Sequence, residues 1–142
     1  MNDDDTRPTG DATASSGTYL VRGTAEAADA QRDFQPTWAT KDELPKIAPI
    51  AGLTMQSVTG GKLMANWVTI EPHRVVPRHQ HPHEQLGIML DGALEMTIGD
   101  ETHLLRAGDA YTIPPNFPHS ARTLAEGCVV LDIFTPPRED YR

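Results

Sequence analysis

From residue 53 to the C-terminus the sequence keeps one rhythm, short apolar-alternating runs cut by glycine, proline or an acid–glycine pair. Brief runs bounded by turn residues at close spacing describe an all-β sandwich or barrel. They predict strands over about 53–58, 63–71, 75–80, 84–91, 93–99, 102–106, 110–113, 118–124 and 127–135. Gly60-Gly61 and Asp91-Gly92 are hairpin signals and Gly99-Asp100 a weaker one. Ala107-Gly108-Asp109 marks a tight corner, and Pro114-Pro115-Asn116 forces an irregular bend. After Gln85 the even positions Leu86, Ile88 and Leu90 are apolar, and Leu94, Met96 and Ile98 repeat the alternation. If Gln85 faces the barrel interior, Gly87 and Met89 do too, and Gly87 leaves room there for a substrate. The even set then lines the other face around residues 86–98, and such an apolar face needs cover, which predicts a homodimer.

The chain upstream has a different character. Residues 1–17 are rich in Asp, Thr, Ser and Gly without hydrophobic periodicity, and read as a disordered acidic tail. Residues 18–52 form an N-terminal extension, in which Thr18 to Val21 could dock as an edge strand and Ala25 to Gln35 is weakly helical. The barrel proper is expected over 53–142. With 142 residues and no internal repeat, this is one module with enough chain to bury a core.

Charge and cysteine content narrow the function classes. Twenty acids against 12 basic residues give a formal charge of −8, and no basic stripe offsets it. Such a chain repels nucleic acid and anionic lipid. No apolar stretch approaches the roughly 18 residues that span a membrane. The N-terminus opens Met1-Asn2-Asp3-Asp4-Asp5 with no apolar region, unlike a signal peptide, so the cytoplasm is the expected compartment. The single cysteine, Cys128, lies in an apolar run and is expected to be a buried, inert thiol.

Within this β-rich frame, His79-Gln80-His81 is followed by Gln85 and, further on, by His119. Side chains two apart on a strand share a face, so His79 and His81 project together with Cα atoms roughly 6.6 Å apart. From that separation two imidazoles can converge on one ion, at about 2.0–2.1 Å for zinc. Gln85 adds an oxygen if Pro82-His83-Glu84 makes a kink, and His119 arrives from a second strand. His83 and Glu84 are read as neighbours of the site, and His73 and His103 as ordinary surface or strand residues.

The spacing has a wider pattern. Gln85 is followed seven residues on by Gly92, and Gly108 six residues on by Pro114, then Pro115-Asn116 and His119. This two-part pattern, over about 62–136, resembles the two motifs of the cupin superfamily. The resemblance implies a double-stranded β-helix, a jelly-roll-like barrel, holding one metal ion on His79, His81, Gln85 and His119. Two positions depart from the usual motif: His73 stands where a glycine normally does, and Gln85 replaces the usual glutamate ligand.

Three imidazoles and an amide are neutral donors and would leave a divalent ion its full charge of about +2, favouring Lewis-acid chemistry. The set also departs from the two-His-one-carboxylate arrangement suited to iron oxygenases. The expected cofactor is one divalent cation, with zinc, nickel, iron, cobalt and manganese all compatible. In the last apolar run, Asp132 and Phe134 share a face. A buried acid there would be costly unless a polar cavity received it. Arg138, six residues beyond Asp132, can cap the barrel mouth and clamp a carboxylate through two parallel hydrogen bonds.

A His–Gln metal site followed by Asp132-x-Phe134-x-Pro136-x-Arg138-x-Asp140 is similar to the pectin-degradation cupins, small dimeric enzymes that ketonise 4,5-unsaturated uronates. That resemblance implies a small-molecule substrate, with Asp132 and Arg138 catalytic and Phe134, Arg138, Gly87 and Met89 against the substrate. Three other readings stand beside it: a zinc polyketide cyclase, a metal-dependent dioxygenase, and a non-catalytic cupin that senses a sugar or metabolite.

Overall fold

The computed structural model describes residues 35–141. The tail over 1–17, the docking strand over 18–21 and nearly all of the weak helix over 25–35 lie outside the described residues. A short 3₁₀ turn at Lys41–Glu43 leads into eight strands: β1 Ile47–Ile50, β2 Leu53–Thr59, β3 Met64–Ile70, β4 Val75–His79, β5 Glu84–Ile98, β6 Glu101–Arg106, β7 Ala110–Ile113 and β8 His119–Thr135. Every pairing is antiparallel.

The architecture follows from two long strands. The first half of β5 pairs with β7 and with the second half of β8, which in turn pairs with β3, followed outward by β2 and β1. The second half of β5 pairs with β6 and with the first half of β8, which also carries β4. One eight-stranded sheet therefore folds over on itself, and its two halves enclose the barrel interior. The fold-over comes where the β5–β8 register slips, around Asp91–Gly92 opposite Cys128–Val129. Gly92 and Gly127 meet there with φ of 75° and 64°, and a Cβ on Gly92 would collide with the Gly127 carbonyl. Neither position tolerates a side chain.

This slip corrects the expectation for Asp91-Gly92. The pair is a bulge inside one continuous strand, whereas the weaker signal Gly99-Asp100 forms the two-residue hairpin between β5 and β6. Likewise the two runs at 118–124 and 127–135 are a single strand, β8. A bulge inverts the inward parity of a strand. Gln85, Gly87 and Met89 point inward before it, and Leu94 and Met96 after it. The exposed even face is thus confined to Leu86, Ile88 and Leu90, not the whole of 86–98; Leu86 and Leu90 are 38% and 44% exposed, Leu94 1%. Its outward neighbours across the sheet are Ile133 and Leu131 on β8 and Ala65 and Trp67 on β3.

The inward positions form rows across the sheet. Met55, Val68, Val130 and Met89 make an apolar row deep in the barrel. They join Leu53, Ile70, Leu94, Met96, Ala121 and Cys128 in the core. The next row toward the barrel mouth is Ser57, Asn66, Asp132, Gly87 and Tyr111, and beyond it Met64, Phe134, Gln85 and Ile113. A polar row is therefore set between a wholly apolar row and one in which Gln85 alone is polar. Cys128 is buried as expected; desolvation, with Asp132 and Asp91 nearby, pushes its thiol up to about 12.

His73, at the position where the motif normally has glycine, has φ of 56°, and its N–H donates to Leu124 O at 3.0 Å. A side chain in the left-handed region costs about 1–2 kcal/mol, partly offset in the unfolded chain by glycine's greater freedom. His73→Gly is expected to stabilise the fold by about 0.5–1 kcal/mol. A rise in the denaturant midpoint at unchanged m-value would register it, and a fall would show that the imidazole makes compensating contacts.

Candidate metal centre and its cavity

His79 ends β4 and His119 begins β8, and the two are Cα partners on adjacent strands. His81 is not a strand residue; it sits in the turn after β4, so convergence with His79 comes from the loop rather than from the pleat. The turn is tied down where Asn116 N–H donates to His81 O at 2.7 Å, joining the 80–83 loop to the Pro114-Pro115-Asn116 bend. That bend also delivers His119.

The three imidazoles close on one another. Ring centroids of His79 and His119 are 4.3 Å apart, those of His81 and His119 5.0 Å, and those of His79 and His81 5.8 Å. One nitrogen from each lies within 4.8 Å of the others. Each Nδ1 faces a main-chain carbonyl: His79 to Pro77 O at 2.7 Å, His119 to Phe117 O at 2.8 Å, His81 to His83 O at 3.1 Å. A carbonyl can only accept, so each Nδ1 carries the proton and each Nε2 presents a lone pair. Outer partners that fix the tautomer in this way are typical of metal-ligating histidines. His81 and His119 are buried while His79 reaches solvent, which leaves an entry path. Burial, then the positive charge of Arg138 and the neighbouring His119, depress His81 to about 4; burial lowers His119 as well.

Gln85 supplies the strongest test of metal fit. Its Oε1 lies 3.1 Å from His81 Nε2, deep in the protein. The Gln85 side chain also hydrogen-bonds Asp132, a carboxylate that takes the amide N–H, so the oxygen is turned to the imidazole. Two acceptors thus face each other at hydrogen-bond distance with no proton between them. A cation resolves that contact, and His79, His81, His119 and Gln85 fit a divalent ion.

Beside the histidines, Tyr111 Oη donates to Asp132 Oδ1 at 2.6 Å. Burial pushes Asp132 up to about 6, against the opposing hydrogen bonds from Tyr111 and Gln85 and the charge of Arg138; burial likewise raises Tyr111 well above the usual phenol range. Phe134 is buried edge-on to His81, with centroids 5.7 Å apart. Arg138 folds back over the mouth. Its guanidinium lies 4.0 Å from the Tyr141 ring centroid and 5.4 Å from that of Phe134, and it grips Asp140 at 2.6 and 3.1 Å.

Histidines 79 and 119, Gln85, Asp132, Phe134 and Arg138 all line one cavity, which runs inward to an apolar end at Leu53, Met55, Val68 and Ile70. Two expected substrate contacts do not line it. Met89 lies in the hydrophobic core, only 1% exposed. At Gly87 the vacated space is filled by the Tyr111 ring, which a Cβ would strike. Gly87 therefore admits Tyr111 to Asp132 rather than admitting substrate. Glu84 is exposed, and His103 pairs with Glu101 on the surface at 2.6 Å. Sequence reasoning missed Tyr111, Tyr141 and Asn66. The last could have been noticed as a polar residue in the inward set Met64, Asn66, Val68, Ile70.

Residues 66–134 match the family model of the Cupin domain. Over 82 residues the chain is 40% identical to an H2HPP isomerase from Bacillus subtilis, covering 51% of this chain and 34% of that protein. Over 64 residues it is 38% identical to the pectin degradation protein KdgF of Dickeya dadantii (strain 3937), covering 44% of this chain and 58% of that one. The matches thus span about a third and just over half of these curated relatives. The solved structure of KdgF from Halomonas sp. superposes with a TM-score of 0.70 at 29% identity, covering 75% of this chain and 98% of that one.

Proposed function

Because the chain carries a cupin domain and resembles the pectin-degradation cupins, we propose that it is a metal-dependent enzyme isomerising a small carboxylated substrate, specifically ketonising 4,5-unsaturated uronates. The observation that carries this reading is the meeting of three imidazoles, the Gln85 amide, Asp132 and Arg138 at one cavity. A divalent ion bound by His79, His81, His119 and Gln85 would supply Lewis acidity toward substrate oxygens, undiminished by any anionic ligand. Arg138, stacked on Tyr141, would hold the carboxylate, which must compete with Asp140 for the guanidinium fork. Phe134 would form one wall of the substrate site.

Asp132 would carry the proton. In ketonisation the hemiacetal hydroxyl at C1 loses its proton, the C1–O5 bond breaks to leave an aldehyde, and O5 becomes the C5 ketone as C4 gains a proton. No atom is added or lost. A single carboxylate able to receive the first proton and deliver the second suffices. Tyr111 and Gln85 hold that carboxylate in place.

The apolar end of the cavity favours a second reading, isomerisation of a different small substrate with an apolar body, and one relative is itself named an isomerase. The test is proton NMR of metal-loaded protein with unsaturated uronates. Loss of the vinylic signal faster than the spontaneous rate is expected, and no acceleration rejects the uronate assignment.

The homodimer is proposed on the outward patch of Leu86, Ile88 and Leu90 with Leu131, Ile133 and Trp67. Sedimentation at micromolar concentration is expected to give a dimer that Leu90→Glu dissociates; a wild-type monomer overturns it. A cytoplasmic setting is proposed from the sequence. No helix among the described residues is long and apolar enough to cross a membrane.

A further inference from the structure

Asn66 is fully buried, at 0% exposure, in the middle of β3. Its side chain lines the same cavity as the histidines and Asp132. Ser57 Oγ donates to its Oδ1 at 3.0 Å, and its Nδ2 has no partner although it is shielded from solvent. Among the described residues the only other such atom is His83 Nδ1. A buried donor without an acceptor is costly, and native proteins keep one chiefly where a ligand or ordered water completes it.

The sheet says what that ligand atom is near. Asn66 and Asp132 are Cα partners on neighbouring strands and both face inward, so their side chains stand side by side, with Cα atoms about 4.5–5.5 Å apart. Asp132 already accepts from Tyr111 and Gln85. Row by row, Ser57 orients Asn66 on one side of Asp132, while Gly87 and Tyr111 orient the carboxylate from the other.

We propose that Asn66 Nδ2 is a binding subsite for a substrate oxygen, a hydroxyl or carbonyl, held next to the Asp132 carboxylate. The inference rests on the reading of this cavity as the substrate site and adds a specificity residue to it. An amide N–H beside a proton-carrying carboxylate selects ligands with an oxygen within reach of both. It discriminates against analogues lacking that oxygen, because the donor is then left unpaired. Arg138 reads the carboxylate at the mouth, and Asn66 reads an oxygen deeper in the cavity.

The test uses Asn66→Leu, which keeps the branching at Cγ and removes the donor, with Asn66→Ser as the partial rescue. Unsaturated uronate turnover and thermal melting are measured on metal-loaded protein. Expected for Asn66→Leu is a melting temperature lowered by no more than the loss of the single Ser57 hydrogen bond, since the lost donor itself had no protein partner. KM should rise about tenfold, the worth of one hydrogen bond, with kcat changed less, and the serine variant should fall between. A lowered melting temperature with wild-type KM makes Asn66 structural and overturns the proposal, as does no change in either. Should wild type not turn over uronates, the substrate reading fails and a crystal structure decides this inference separately. A ligand oxygen on Nδ2 upholds it, and an amide paired with Asp132, with main chain or with a water that the ligand does not displace overturns it.

Discussion

His119→Ala is expected to lose its metal. Wild-type protein should carry one divalent ion per chain after dialysis, and the variant close to none. The three imidazoles are held by main-chain carbonyls before any ion arrives, so affinity is concentrated in a preformed set. Even outer partners of such ligands are worth roughly 10–100-fold in affinity, and a missing ligand exceeds that. His81→Ala should behave alike, with the added loss of the 3.1 Å contact to Gln85. Metal should also raise the wild-type melting temperature, because binding to the folded state alone is worth about 4 kcal/mol at a thousandfold excess over Kd. Elemental analysis and metal-dependent melting check both. Unchanged metal content in both variants would leave the histidines structural. Gln85→Glu should keep metal and lower turnover, since the carboxylate donates charge to the ion and abuts Asp132; full activity there would show that the neutral amide has no catalytic importance.

The meeting of His79, His81 and His119, with Gln85 against His81, was legible in the sequence because its parts are close in the chain or punctuated by turns. His79, His81 and Gln85 fall within seven residues, and Pro114-Pro115-Asn116 announces the bend before His119. What the sequence could not show depends on pairing between distant strands. Asp91-Gly92 reads as a hairpin in isolation; only its position opposite Cys128 and Val129 makes it a bulge. Because the bulge reverses parity, the inward set after it was misassigned along with the extent of the outward face. β1 was hidden by Pro49, which the fold tolerates because β1 is an edge strand. Gly87 looked like space for a ligand, yet its register with Tyr111 makes it the seat of a ring. The polar row through Asn66, Asp132 and Tyr111 exists only once β3, β8, β5 and β7 are aligned.

Asp132→Asn is expected to cost roughly 10²–10⁴-fold in turnover, the usual worth of general acid–base catalysis, while the protein stays folded. The side chains are isosteric, and the asparagine oxygen can still accept from Tyr111, which donates to Asp132 at 2.6 Å in the wild type. Stability should not fall through charge, because burial is the main cause that raises the Asp132 carboxyl to about 6. A folded-state pKa above the unfolded value of 3.8 means that ionisation at neutral pH works against folding, and the amide removes that cost. One contact opposes this gain, since the new amide N–H2 meets the Gln85 amide that had been donating to the carboxylate. Melting curves at pH 7 measure the balance, and turnover is compared only between samples of equal metal content. Arg138→Ala separates binding from proton transfer. It should raise KM for acidic substrates and spare uncharged analogues, and Arg138→Lys should restore only part, because an ammonium cannot reproduce the planar fork or its stacking on Tyr141. Full activity in Asp132→Asn would remove the proton carrier from this scheme and move the search to another group at the cavity.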